Sequence, residues 1–269
     1  MKMISSEFTC GPTRIHYIEK GCSENVLLFI HDWGCNSSYW SQQVAYFSRT
    51  YRAIAMDLPG FGRSCSAQRA WTVEDFSRDV SALIEGLQIK NVILVGHAAA
   101  CDIIVETALS RQVPVAGLIG VESHKITSAD MGSMARSMQS DFKNTVSQYA
   151  DRFLFHPATD SLARIRVKLD LRNTDPHSGI PALRNQISYK EKLPSRLSEL
   201  EQPLYLINSD RTPTDLALLE KNCKRSFDVV YIPATGHFPM IEKPSKFNRL
   251  LEVTLHKITL TARWELARQ

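Results

Sequence analysis

The chain has 269 residues, 43% hydrophobic and 22% charged, with a formal net charge of +4. A chain of this length buries about three quarters of its unfolded surface and needs no staple to hold a core. Its basic residues are dispersed, without the Lys/Arg block or basic–aromatic stripe of a nucleic-acid binder, so a mildly basic solvated surface is expected and nucleic-acid partners are not.

The six cysteines (Cys10, Cys22, Cys35, Cys65, Cys101 and Cys223) form no C-x-x-C pair. The N-terminal MKMISSEFTC lacks the apolar core of a signal peptide, and no apolar run reaches the ~18 residues that span a bilayer. The expectation is a reduced, cytoplasmic protein with free thiols, without a membrane span.

In chain order, RIHYIEKG (14–21) alternates apolar and polar residues, as a strand does. NVLLFIHDWG (25–34) is a continuous apolar run, suited to a strand buried on both faces. A further short strand in YRAIAMDLPGFGRS (51–64) runs into the turn signals Pro59-Gly60 and Gly62. WTVEDFSRDVSALIEGLQI (71–89) predicts a helix. Thr72 is its cap, Asp75 sits three residues on, and Phe76, Val80, Leu83, Ile84 and Leu87 are at helical spacing. NVILVG (91–96) predicts a strand, with a helix from about Ala99. VAGLIGVE (115–122), PLYLIN (203–208) and DVVYIP (228–233) predict strands, and PSKFNRLLEVTLHKI (244–258) a closing helix. Strands alternating with helices imply an α/β fold, a mostly parallel sheet flanked by helices. Residues 125–200 are polar, helical in period and without a good strand. They read as a helical cap inserted into a core formed by 1–124 and 201–269.

Four segments carry a resemblance, in order: HDWGCNSSYW (31–40), DLPGFGRS (57–64), VGHAAA (95–100) and GHFPMIEKPSKFNRLL (236–251). They are similar to the oxyanion loop, the D-x-x-G-x-G-x-S turn, the nucleophile elbow and the catalytic-histidine loop of the α/β-hydrolase fold superfamily, in its serine esterase and lipase form. The resemblance implies a sharp strand-to-helix turn that exposes side chain 98 above the sheet. In the family that position is serine; here it is Ala98, and the final glycine is Ala100.

By the same resemblance His237 is the general base, and the backbone N–H groups of Trp33 and Ala99 form the oxyanion hole, as substrate-binding groups. The family's usual glycine after the loop histidine is replaced by Asp32. His31 is expected to hold this loop by hydrogen bonds, and His97 to pack. The triad acid has two candidates. Glu122 ends the buried strand 115–122 and is preferred, because an unpaired buried carboxylate is costly. Asp210 follows the strand 203–208, where the family's G-x-x-D pattern falls on Thr212.

The resemblance implies a carboxylic-ester hydrolase of the Ser-His-acid type acting on a small molecule with an apolar acyl or aromatic part. No metal or organic cofactor is implied, since the sequence clusters no ligand set. Met131, Met134, Met138, Phe153 and Phe155 suit an apolar pocket lining or plain packing between cap and sheet. Three accounts of Ala98 stay open: an inactive serine-to-alanine variant, a cofactor-free His/acid enzyme such as a dioxygenase or lyase, and a non-catalytic ligand-binding relative.

Overall fold

The computed structural model describes residues 2–67, 69–125 and 131–266, with side chains to residue 259. Strands β1 (Ile4–Cys10), β2 (Thr13–Lys20), β3 (Asn25–Ile30), β4 (Arg52–Met56), β5 (Asn91–His97), β6 (Val115–Val121), β7 (Leu204–Ser209) and β8 (Phe227–Ile232) form one sheet. Its order is β1-β2-β4-β3-β5-β6-β7-β8. β2 pairs antiparallel with β1 and β4; every other pairing is parallel. The apolar run read at 25–34 has a simple cause: β3 lies between β4 and β5, and Leu27, Leu28, Phe29 and Ile30 are wholly buried.

Helices cover both faces, so the core is divided in two. On one side α2 (Val73–Gly86) and α3 (Ala99–Leu109) pack Val80, Leu83, Ile84 and Ile104 against Leu28, Ile54 and Leu94. α2 begins as the sequence predicts: Thr72 accepts from the Asp75 N–H, and the Asp75 side chain accepts from the Thr72 N–H. On the other side α1 (Ser41–Phe47) and the closing helix pack Phe47, Phe247 and Leu251 against Phe29, Ala55 and Val95.

Between β6 and β7 run α4 (Met131–Ser137), α5 (Phe142–Tyr149), α6 (Ser161–Asn173), α7 (Pro176–Tyr189) and α8 (Leu193–Glu199), with no strand among the described residues there. Met134, Met138 and Phe155 are buried in the second core, so their first use is packing. Beyond β7 come α9 (Leu216–Asn222), α10 (Pro239–Glu242) and α11 (Pro244–Leu266). The last is longer than the sequence suggested. β1 is an addition to the sequence reading: an exposed edge strand with weak alternation, bonded only to β2. No helix among the described residues is long and apolar enough to cross a membrane.

Candidate active site

The bend from β5 into α3 places Ala98 at φ +46°, ψ −102°. That backbone is strained for any residue with a Cβ. It is pinned by the Ala98 N–H, which donates to the Val121 carbonyl at 2.8 Å. Gly96 allows the bend: a Cβ there would stand 2.7 Å from the Ala100 carbonyl oxygen. Side chain 98 is a methyl, so the strained position presents no nucleophile.

Above it lies Asp32. Its Oδ1 accepts the Ala99 N–H at 3.0 Å, and its Oδ2 lies 2.9 Å from His237 Nε2. The Asp32 carboxylate therefore fills the place where the resemblance puts a substrate oxyanion, and takes the Ala99 donor meant for it. Burial alone would raise this carboxyl. His237 and the Ala99 N–H outweigh burial and hold it below its ordinary value, so Asp32 is an anion at neutral pH. A carboxylate can only accept, so His237 Nε2 carries the proton between them.

The loop around Asp32 is held by histidine. His31, wholly buried, has Nδ1 2.7 Å from the Asp32 carbonyl oxygen, and its Nε2 accepts the Leu58 N–H at 2.9 Å. One ring nitrogen thus donates and the other accepts, which fixes a neutral imidazole. His97 is buried among Trp40 and Phe238, and its Nε2 donates to the His237 carbonyl at 2.7 Å. Burial, with help from His237, pushes its pKa down to about 3, so it stays neutral. His97 thereby positions the His237 backbone.

Asp32, His97 and His237 each bring one ligand-type atom within 4.8 Å of the others. His97 Nε2 is already donated to the His237 carbonyl, and a metal held through that nitrogen would break the bond.

The other expected site residues lie as follows. Trp33 turns its indole N–H to the Gly179 carbonyl of α7, at 2.8 Å. With Ala99, Leu58, Phe61 and Ile103 it lines an apolar cavity of only about 20 Å³. Glu122, at the end of β6, accepts from the Ser209 N–H, the Ser209 hydroxyl at 3.0 Å and the Lys125 ammonium at 2.7 Å. Asp210 accepts the Ala234 N–H at 3.2 Å. No hydrogen bond joins His237 to Glu122 or Asp210 among the described residues; the carboxylate it meets is Asp32. The sequence did carry a signal for each difference. Lys125, three residues beyond Glu122, is a ready partner for it. An acid in place of the loop glycine marks the site's own carboxylate.

From the segment between β6 and β7, Leu154 accepts the His237 N–H at 2.7 Å. Tyr149 lies close enough to Asp32 to feel its charge. Burial, chiefly, and that charge push its phenol up to about 12. Chemically, the site offers a carboxylate and an imidazole sharing a proton, above a helix N-terminus, with no hydroxyl or thiol at the elbow.

The Alpha/beta hydrolase family profile matches residues 27–250. A Petunia hybrida protein named Karrikin insensitive 2 receptor CA is 23% identical over 246 residues, 83% of this chain and 89% of that one. The (E)-2-((N-methylformamido)methylene)succinate hydrolase of Acinetobacter baylyi is 24% identical over 262 residues, 94% of this chain and 98% of that one. The crystal structure of a putative lipase from Acinetobacter baumannii superposes with a TM-score of 0.81 at 17% identity, covering 96% of this chain and 93% of that one.

Proposed function

This chain belongs to the Alpha/beta hydrolase family, and from that premise we propose that it is an acid–base enzyme working through His237 and Asp32 without an acyl-enzyme intermediate. Its substrate class is a small, partly apolar molecule bearing an acidic hydroxyl or an activated carbon acid. Asp32 takes the substrate's proton and then returns it to the product or leaving group, while His237, donating to Asp32 throughout, steadies and orients the carboxylate. The helix N-terminus behind Ala99 keeps negative charge favourable at this spot. The single observation that carries the reading is the Asp32 carboxylate bridging the Ala99 N–H and His237 Nε2, next to an elbow residue that has only a methyl side chain.

A second reading keeps ester hydrolysis, with Ala98 standing for a lost serine, His237 as base and Trp33 and Ala99 as oxyanion donors. The strained backbone at Ala98 favours it, because the bend costs free energy that a nucleophile would explain. On this reading Glu122 or Asp210 would orient the imidazole after rearranging.

The two readings separate on serine restoration. Ala98→Ser and Ala98→Ser/Asp32→Gly are assayed with short-chain 4-nitrophenyl esters. The acid–base reading expects the single variant to stay near background and the double variant to gain at least about 10²-fold, the worth of one freed oxyanion donor. Turnover by Ala98→Ser alone at the ~1–10³ s⁻¹ of ordinary enzymes would overturn it in favour of the second reading.

A further inference from the structure

A second constellation lies beyond the far side of His31 from Asp32, where β1, β2 and the turn after β4 meet. Glu7 pairs with His16 across the β1–β2 ladder, which sets Ser5 diagonally beside the same imidazole. Ser5 Oγ lies 2.8 Å from His16 Nε2, and His16 Nδ1 lies 2.9 Å from Asp57 Oδ2. Ser5 is exposed, whereas His16 and Asp57 are buried.

The direction of these bonds is forced. The Asp57 Oδ2 also accepts the Arg63 N–H at 2.8 Å, and its Oδ1 accepts the Ser37 N–H. Burial alone would raise this carboxyl; the Ser37 and Arg63 donors oppose it, and the carboxyl is held low. An anionic carboxylate only accepts, so Nδ1 of His16 carries the hydrogen. A ring carrying that one hydrogen has its lone pair on Nε2, facing the Ser5 hydroxyl. The ring is also fixed in place. The His16 carbonyl accepts the Asp57 N–H at 2.9 Å, and Ser64 Oγ takes the His16 N–H at 2.8 Å while donating to the Asp57 carbonyl at 2.7 Å. Gly62, at φ +55°, lets the turn wrap this carboxylate, since a Cβ there would strike it.

All three residues line a groove of about 750 Å³, which also carries Arg63 and Trp71. We propose that Ser5, His16 and Asp57 form a nucleophilic site that accepts acyl groups from small esters, separate from the Asp32–His237 pair. Ser5 Oγ bonds to the acyl carbon while its proton passes to His16 Nε2, and Asp57 steadies the imidazolium. The ester's alkoxide leaves and takes that proton. Water then adds to the acyl-serine by the reverse route, which restores Ser5 and releases the acid.

The test uses the intact chain, whose elbow has no hydroxyl to compete. It is treated with a fluorophosphonate and, separately, with 4-nitrophenyl acetate, and the modified residue is located by peptide mass spectrometry. The adduct is expected on Ser5, at a rate about 10²-fold or more above the other serines, the usual worth of a positioned base. His16→Gln, which can still bond both neighbours, removes that advantage, and His237→Ala leaves it intact. Should His16→Gln not fold, the native chain's labelling rate must still rise from acid to neutral pH and vanish on denaturation. Labelling spread evenly over exposed serines, or unaltered in His16→Gln, overturns the proposal. Loss in His237→Ala would also overturn it, by tracing the reactivity to the other site.

Discussion

Replacing Asp32 by alanine removes the anion that accepts the Ala99 N–H and meets His237. Asp32 accepts one hydrogen bond from a backbone N–H at 3.0 Å and shares another with an imidazole at 2.9 Å. Hydrogen bonds to a charged group contribute about 1.5–3 kcal/mol each. An anion at a helix N-terminus adds about 0.3–1 kcal/mol. Against these stands desolvation of the carboxylate, which the alanine variant no longer suffers. The side chain is 16% exposed, so water also replaces part of what is lost. A net destabilisation of about 2 kcal/mol follows from these terms. At about 2–4 °C per kcal/mol for a chain of this size, Tm falls by about 4–8 °C at neutral pH. The sign of the pH dependence is fixed as well. A carboxyl held below its unfolded value, ~3.9, contributes stability that is whole above that value and is lost as pH falls through the folded one. Circular-dichroism melts of both proteins from pH 7 to pH 3 are therefore expected to show a gap that narrows below about pH 4. An alanine variant as stable as the parent, or a gap of constant size across that range, would refute the claim that Asp32 is an anion held in place.

Lys125→Met strands Glu122, a buried carboxylate whose Oε2 would keep only the Ser209 hydroxyl. Breaking a buried pair costs about 3–5 kcal/mol, read by urea denaturation at pH 7. Native-state alkylation should distinguish the thiols: Cys10, Cys22 and Cys65 are exposed and should react first. Buried Cys35 and Cys101 should stay unmodified, since burial raises both thiols, Cys101 to about 12; mass spectrometry counts the adducts. Phe29→Ala empties a wholly buried site against Trp40 and Phe47 and should cost about 3–5 kcal/mol in the same urea assay.

Most of the sheet was legible because burial on both faces writes long apolar runs into parallel strands, as in Leu27–Ile30 and Val92–Val95. The capping box at Thr72 and Asp75 was legible because both of its bonds are local. β1 was not: an edge strand exposed along its length has no apolar pattern to read. His237 and the elbow could be placed from motif order. The partner of His237 could not, because the motifs offered only Glu122 and Asp210 and the tertiary fold alone decides distance. Glu122 is joined to Lys125 and Ser209 instead. Asp32 reads in sequence as a disturbed loop glycine; in space it is the acid nearest the imidazole. The Ser5–His16–Asp57 line was invisible for the same reason, its members lying 11 and 41 residues apart along the chain.

The account turns on Asp32 being an anion seated between the Ala99 N–H and His237, and the most direct measurement is a ¹³C NMR titration of its side-chain carboxyl, assigned by loss of the signal in Asp32→Asn. The account predicts a midpoint below ~3.9, the value for a free aspartate. A midpoint at or above that value would mean that the donors around Asp32 do not hold its charge, and would contradict the proposed chemistry.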